Sequence, residues 1–306
     1  MRHSLCVALV ALLPLAVFAC ATDEEEPTLD DSDLVSFNGL APEALLGNGD
    51  ALMALGAAPL DGATTELTGT KDGQALLTDV VKCALDTGDA ASFPLPDGTS
   101  LVLPGLLGLA PNWKGGAIGE ADQRFMTACL MAHVNGRETP FPISVRSERR
   151  KVDVTEELAF PAEEMAVFGN IFVPADQREL SACFGEAVAQ TLGSSGGVGD
   201  RLGVPNYLDV RFCSIDEQCG FNLVGACFRF DRSVPTSACE NRSDFYAECH
   251  ESPIQVSRTP SIHEAVTVYL QPGDLALLLT EYTEDICQAT GICVPLDLGG
   301  LLGGIL

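Results

Sequence analysis

The stretch that decides the fold reads Glu120-Ala-Asp-Gln-Arg-Phe-Met-Thr-Ala-Cys-Leu-Met-Ala-His-Val134. Its large apolar residues recur every three to four positions, which is the period of an amphipathic helix. These residues are Phe125, Met126, Cys129, Leu130 and Val134. Acidic Glu120 and Asp122 suit the first turn of a helix, and Gly136 can end it. We therefore predict a helix over 120–134 that packs one face against a core.

Strand patterns surround this helix on both sides. Directly after it, apolar Phe141, Ile143 and Val145 occupy every second position, which is the period of a strand. Further strands are predicted at 166–173, 207–212, 221–230 and 264–270. A hairpin is predicted at 92–104. Further helices are predicted at 73–86 and 275–289. Regular alternation of strand and helix is missing, so the fold class is predicted as α+β, with a mostly antiparallel sheet, packed helices and disulfide bonds.

The first twenty residues have the pattern of an export signal. Met1-Arg2-His3 is a short basic start, and an apolar run interrupted only by Pro14 extends from Leu5 to Phe18. Such a run is too short to span a bilayer comfortably, because that takes about 20 residues. A basic start, a short apolar run and small residues before a cut together predict a signal peptide.

The end of this run resembles a bacterial lipoprotein signal. Val17, Ala19 and Cys20 fit that pattern, whereas Phe18 is larger than the residue usual there. The resemblance implies a signal peptide over 1–19, lipidation of Cys20 and an acylated N-terminus. Several acyl chains give stable membrane attachment. The alternative is a plain secretory signal cut after Ala21; we favour the lipoprotein.

The segment after the predicted cleavage site is strongly acidic. Seven of the thirteen residues over 21–33 are Asp or Glu, and such a run stays solvated. We predict a lipid anchor and acidic tether over 20–35, followed by a body over 36–306 that could divide into halves 36–175 and 176–306. The formal charge of the whole chain is -26, which argues against nucleic acid as a partner. The membrane is then expected as a partner through the lipid anchor only.

Ten cysteines remain in the body once Cys6 leaves with the signal and Cys20 is assigned to lipidation. They are Cys83, Cys129, Cys183, Cys213, Cys219, Cys227, Cys239, Cys249, Cys287 and Cys293. An even number in an exported chain predicts five disulfides. We expect Cys83 to pair with Cys129, and Cys287 with Cys293. No C-x-x-C motif occurs, so structural zinc is not predicted.

Candidate catalytic groups are few. Cys129 and His133 lie one helical turn apart and could form a thiolate–imidazolium pair, but a disulfide is the favoured role of Cys129. His263 precedes Glu264 without the H-E-x-x-H context, and His250 completes the set of body histidines. We therefore assign no catalytic residue, no metal ligand and no cofactor.

Two further features have a structural and a functional interpretation. Arg146, Arg149, Arg150 and Lys151 form a basic cluster, which we expect to pair internally with acids among Glu156, Glu157, Glu163 and Glu164. An anion-binding site is the alternative. The lone tryptophan, Trp113, is expected to anchor a loop rather than bind a ligand.

The body also resembles uncharacterised cysteine-containing lipoproteins of Gram-negative bacteria. The similar segments lie around Cys83-Ala84-Leu85, 108–113, 128–135 and 265–270. The resemblance implies a cell-envelope location, in the outer membrane, and supplies no activity and no site residues. We predict an exported, lipid-anchored binding or structural surface module, with a protein or an envelope polymer as candidate partner. The alternative is an envelope hydrolase with an unrecognised active site.

Overall fold

The computed structural model describes residues 36–137, 139–192, 206–213, 220–228, 238–242, 245–249, 262–291 and 293. The predicted signal peptide, the acidic tether, the loop at 193–199 and the tail from residue 296 lie outside these residues, as do Cys219 and His250. No helix within the described part is both long enough and apolar enough to cross a membrane.

The described residues form ten strands. They are β1 (Ser36–Asn38), β2 (Ala90–Pro94), β3 (Ser100–Pro104), β4 (Phe141–Arg146), β5 (Ala162–Asn170), β6 (Glu179–Phe184), β7 (Asn222–Ala226), β8 (Cys239–Arg242), β9 (Phe245–Cys249) and β10 (Val266–Leu270). Six of them form the central sheet in the order β1-β4-β10-β5-β6-β7. Its pairs are antiparallel except β6–β7, which is parallel, so the sheet is mixed. Two hairpins, β2–β3 and β8–β9, complete the set.

Eight helices accompany the sheet within the described residues. They are α1 (Pro42–Leu46), α2 (Gly49–Gly56), α3 (Lys71–Ala84), α4 (Glu120–His133), α5 (Val154–Ala159), α6 (Glu186–Leu192), α7 (Tyr207–Phe212) and α8 (Pro272–Thr290). The α+β class and the disulfide bonds predicted from the sequence are confirmed. Gly291 ends α8 in the left-handed conformation, at φ 71°, which glycine adopts at little cost.

The ends of two predicted helices differ from expectation. Helix α3 begins at Lys71, two residues before the predicted start, and is capped by Thr70, whose hydroxyl accepts a hydrogen bond from the Gly73 amide at 3.0 Å. Helix α4 ends at His133 because the next residue, Val134, is already extended. Gly136 is therefore not the residue that ends it.

The prediction of a strand at 207–212 is wrong, because this segment is helix α7. Asn206 caps the helix by accepting hydrogen bonds from the Leu208 and Asp209 amides, and the Asp209 side chain accepts one in return from the Asn206 amide. This reciprocal arrangement is the capping box of a helix start. The alternation was misleading because polar Arg211 is as buried as its apolar neighbours.

The central sheet separates two cores. The front core lies between the sheet and helices that include α3, α4, α7 and α8, and receives Met165 and Val167 from β5. The back core lies on the other face and receives Ala166 and Phe168 from the same strand. Strand β5 is thus buried on both faces, which explains its apolar run from Met165 to Phe168.

Four disulfides join described cysteines. They are Cys83–Cys129, Cys183–Cys227, Cys239–Cys249 and Cys287–Cys293. The first and last of these confirm the two predicted pairs. Cys213 is disulfide-bonded as well. The first bridge ties α3 to α4 within the front core, whereas the second and third place their sulfurs in the back core.

Candidate functional site

The histidine that ends α4 lies in a buried polar cluster beside a disulfide. His133 Nδ1 lies 2.7 Å from the backbone oxygen of Cys129, one turn earlier in the helix. The sulfurs of Cys83 and Cys129 are each 3.8 Å from the same nitrogen. On the other side of the ring, Nε2 contacts the hydroxyl of Ser36 in strand β1. Burial lowers the pKa of His133, and the nearby Asp79 carboxylate partly opposes that shift.

This cluster has the residue types of a nucleophilic site without the access such a site needs. Ser36 is 2% exposed and His133 is fully buried, so a substrate cannot reach either group in this conformation. Cys129 is bridged to Cys83, so it offers no thiolate. The thiolate–imidazolium alternative is therefore wrong, and the disulfide expected for Cys129 is confirmed.

Within the part of the chain that the structure describes, two groups of side chains have the spacing of metal ligands. Cys83, Cys129 and His133 form one, and Cys183, Cys227 and Cys239 form the other; within each group the ligand atoms lie within 4.8 Å of one another. Each group contains both sulfurs of one disulfide. A bridged sulfur is not the thiolate that binds zinc, so neither group is a metal site in the oxidised protein.

Three side chains of the predicted basic cluster form contacts within the protein. Arg150 forms the expected ion pair with Glu156, at 2.9 Å. Arg149 instead contacts Asp122 at the start of α4. Arg146 donates to the backbone oxygen of Phe160 at 2.6 Å and lies over the Tyr269 ring. These contacts support the structural role of the cluster over the anion-binding alternative.

Two adjacent acids of β5 serve opposite faces of the sheet. Strand β10 pairs Val268 with Met165 and then Tyr269 with Glu163, which leaves Glu164 as the extra residue of a β-bulge. Glu164 points into the front core, where it accepts hydrogen bonds from Tyr207 and Arg211, both at 2.8 Å. Glu163 accepts hydrogen bonds from the hydroxyls of Tyr246 and Tyr269 on the back face.

The Glu164–Arg211 ion pair is fully buried and not fully satisfied. Glu164 Oε2 and Arg211 Nη2 have no hydrogen-bond partner among the described residues. Arg211 also donates to the backbone oxygen of Val134, and its guanidinium lies 5.1 Å from the centroid of the Phe141 ring. The pair therefore ties α7 to β5, and the Arg211 guanidinium lies near Phe141 at the start of β4.

A groove that could take a ligand lies between α8 and the start of β4. Its volume is about 330 Å³, at the lower end of the roughly 300–1,000 Å³ typical of ligand pockets. Its apolar walls are formed by Pro140, Phe141, Pro142, Leu277 and Leu278, and its polar lining by Arg137, Thr139, Asp274 and Glu281. Leu277 is 57% exposed, so this part of the wall is open to solvent.

Negatively charged side chains outnumber positively charged ones among the described residues that line the groove. Arg137 is held by two acids of α8, with its guanidinium 2.5 Å from Glu281 and 3.1 Å from Asp285. Asp274 lies at the start of the same helix, and its Oδ2 atom is buried without a hydrogen-bond partner among the described residues. Partial burial raises the pKa of the Asp274 carboxyl. The groove thus combines apolar walls with an excess of negative charge.

The remaining candidates from the sequence do not meet at this groove. His263 is exposed at the approach to β10, and no histidine or cysteine is among the described residues that line the groove. Trp113 is fully buried, donates to the Ala58 backbone oxygen at 3.0 Å and packs edge-on against Phe172. The structure thus confirms it as a loop anchor.

Comparisons with known proteins add no function to this geometry. No family model, no curated protein and no solved structure matches the chain. The function therefore has to be argued from the chain's own residues.

Proposed function

We propose that this protein is an exported, lipid-anchored component of the envelope of a Gram-negative bacterium, held in the outer membrane, and that its body is a ligand-binding module. The lipid on Cys20 provides the attachment, and the acidic segment over 20–35 spaces the body from the membrane surface. The groove between α8 and β4 is the binding site.

The groove is the observation that carries the binding role. It has a ligand-sized volume, an exposed leucine in its wall and charged groups at fixed positions. These are the features of a small-molecule site, in which apolar walls supply affinity and a few polar groups fix orientation. The alternative function, an envelope hydrolase, lacks such support, because His133 and Ser36 are buried and away from the groove.

The export and anchoring part of the proposal is tested by the mass of the mature N-terminus. The full-length chain is expressed in a Gram-negative host, extracted from membranes and digested. We expect an N-terminal peptide that begins at a lipid-modified Cys20, and a Cys20→Ser variant that loses the lipid. An unmodified N-terminus at Thr22 would establish the plain secretory signal and contradict the anchor.

The binding part is tested by ligand-detected NMR with a library of small apolar compounds. Leu277→Asp places a charge in the groove wall at an exposed position, so the fold should survive while compounds lose affinity. Leu158→Asp is the matched control, because Leu158 is 75% exposed on α5 and is not among the groove residues. Equal effects of the two substitutions, or no binding by the native protein, would refute a site in this groove.

A further inference from the structure

We propose that the ligand of the groove is a small organic cation, an ammonium group on an apolar body, with the ammonium beside Asp274 and the apolar body against Phe141 and Leu277. This inference rests on the proposed binding function and names the class of ligand. The charges of the groove, its walls and its size support this class of ligand.

Arg137 is the positively charged side chain among the described residues that line the groove. An anionic ligand would need this guanidinium, but Glu281 and Asp285 already contact it from α8. Two carboxylates around one guanidinium leave the trio with an excess negative charge, and Asp274 adds a second. A cation is therefore attracted to the groove, whereas an anion would have to displace an existing ion pair.

Asp274 is the group best placed to receive the cation. One of its oxygens is buried without a hydrogen-bond partner among the described residues, and an unpaired buried polar atom is costly. The N-terminal end of α8 favours a negative charge in its first turn, whereas partial burial disfavours it and raises the pKa of the Asp274 carboxyl. An ammonium ion in the groove would compensate the charge of this carboxylate, which Arg137 does not contact in the structure.

The apolar walls of the groove favour an apolar body for the ligand. Phe141 presents an aromatic ring to the groove, and Pro142 and Leu277 add aliphatic surface. Pro142 pairs across the sheet with Phe37 of β1, which is 37% exposed and extends the apolar surface at the rim. A volume of about 330 Å³ fits a small molecule rather than a folded partner. The acidic tether of this chain is a poor occupant, because like charges repel.

The test uses three probes with the same phenethyl body and different head groups. Phenethylamine carries an ammonium, phenethyl alcohol a neutral hydroxyl and hydrocinnamate a carboxylate. Their dissociation constants are measured on the full mature protein at neutral pH and low salt by protein-observed NMR. We expect phenethylamine to bind about fivefold more tightly than the alcohol, with the carboxylate weakest, as befits one partly exposed charge pair.

Two amide substitutions locate the effect. Asp274→Asn removes the groove charge with little change of shape, and should weaken phenethylamine about fivefold while leaving phenethyl alcohol unchanged. Glu157→Gln changes the net charge equally at an exposed position on α5 that is not among the groove residues, and should change neither. Equal weakening by both substitutions would mean that long-range charge, and not Asp274, attracts the cation.

The outcomes separate the ligand class from the binding function. Tighter binding of hydrocinnamate than of phenethylamine would overturn the cationic ligand and leave the groove as a binding site. No binding of any probe would contradict both proposals. A short lysine-containing apolar peptide that binds more tightly than phenethylamine, and also depends on Asp274, would overturn the small-molecule ligand in favour of a peptide.

Discussion

The two faces of the central sheet are stabilised in different ways. The front core is large and is built from helices packed on the sheet; the Cys83–Cys129 bridge and the disulfide-bonded Cys213 are a small part of its buried residues. The back core is small, and four of its eleven buried members are cysteines. Apolar burial grows with core size, and small cores depend on cross-links. This chain therefore concentrates disulfides in the core that has less apolar area.

Two adjacent residues of strand β5 show the same difference between the front and the back face. Glu164, displaced by the β-bulge, is buried in the front core with Arg211, whereas Glu163 is only partly buried and binds two tyrosine hydroxyls on the back face. A charge that is fully buried depends on its partner far more than one that solvent still reaches.

The largest expected effect is therefore on Glu164. Glu164→Gln leaves the Arg211 charge buried and unpaired, which we expect to cost about 3–5 kcal/mol in the free energy of unfolding. Glu163→Gln removes only hydrogen-bond strength and should cost about 1 kcal/mol. Urea denaturation of the two variants measures both. Equal losses would show that burial does not distinguish the two acids.

A double substitution separates the charge from the packing. Glu164→Met combined with Arg211→Met removes both charges while keeping much of the volume, and should recover most of the stability lost in Glu164→Gln. A double variant as unstable as the single one would mean that the loss comes from packing and not from the unpaired charge.

Removal of a single disulfide is expected to have the next largest effect on the free energy of unfolding. Cys83→Ala with Cys129→Ala opens a link over 46 residues, and Cys239→Ala with Cys249→Ala a link over 10. Chain entropy predicts losses of about 4 and about 3 kcal/mol respectively. Denaturation under non-reducing conditions measures both losses of unfolding free energy. A larger loss from the shorter link would indicate that the bridge stabilises the back core by more than its effect on chain entropy.

The smallest expected effect is the pH dependence of stability that His133 in the front core produces. Burial lowers the pKa of folded His133 below its ordinary value of 6.5, so the unfolded chain binds a proton first as the pH falls. Stability should therefore decrease as the pH drops below about 6.5, by up to about 1.4 kcal/mol per pH unit. The raised pKa of Asp79 acts in the opposite direction at lower pH, since the folded state then binds the extra proton.

The histidine effect is measured as the slope of unfolding free energy against pH between 7 and about 5. His133→Asn should flatten this slope, whereas His263→Asn at an exposed position should leave it unchanged. If both variants keep the native slope, another group controls the acid sensitivity.

The fold was predictable from the sequence where periodicity is strong. Helix α4, strand β4 and the β2–β3 hairpin follow from apolar spacing and from Asp97-Gly98 at the turn. Helix α7 was not predictable in this way, because Arg211 is buried among apolar residues and removes the polar face that the periodicity assumes. The bulge at Glu164 depends on pairing with β10 and leaves no local pattern.

The candidate site was not predictable from local sequence at all. Arg137 and Glu281 are 144 positions apart, and neither belongs to a recognisable motif. Their proximity results from the packing of α8 beside the start of β4. The cysteines were easier to interpret, because an even number of them implies bridges without any knowledge of the fold.

The central claim is that apolar burial holds the front core and bridges hold the back core. Hydrogen exchange tests it most directly through the amide of Ile262, which bonds to Cys249 at the back, and the amide of Leu109, which bonds to Cys83 at the front. In Cys239→Ala/Cys249→Ala we predict that Ile262 loses protection and Leu109 keeps it. In Cys83→Ala/Cys129→Ala, which lowers the stability of the whole fold, we predict that both amides lose protection. Equal loss at both amides in Cys239→Ala/Cys249→Ala would contradict the claim.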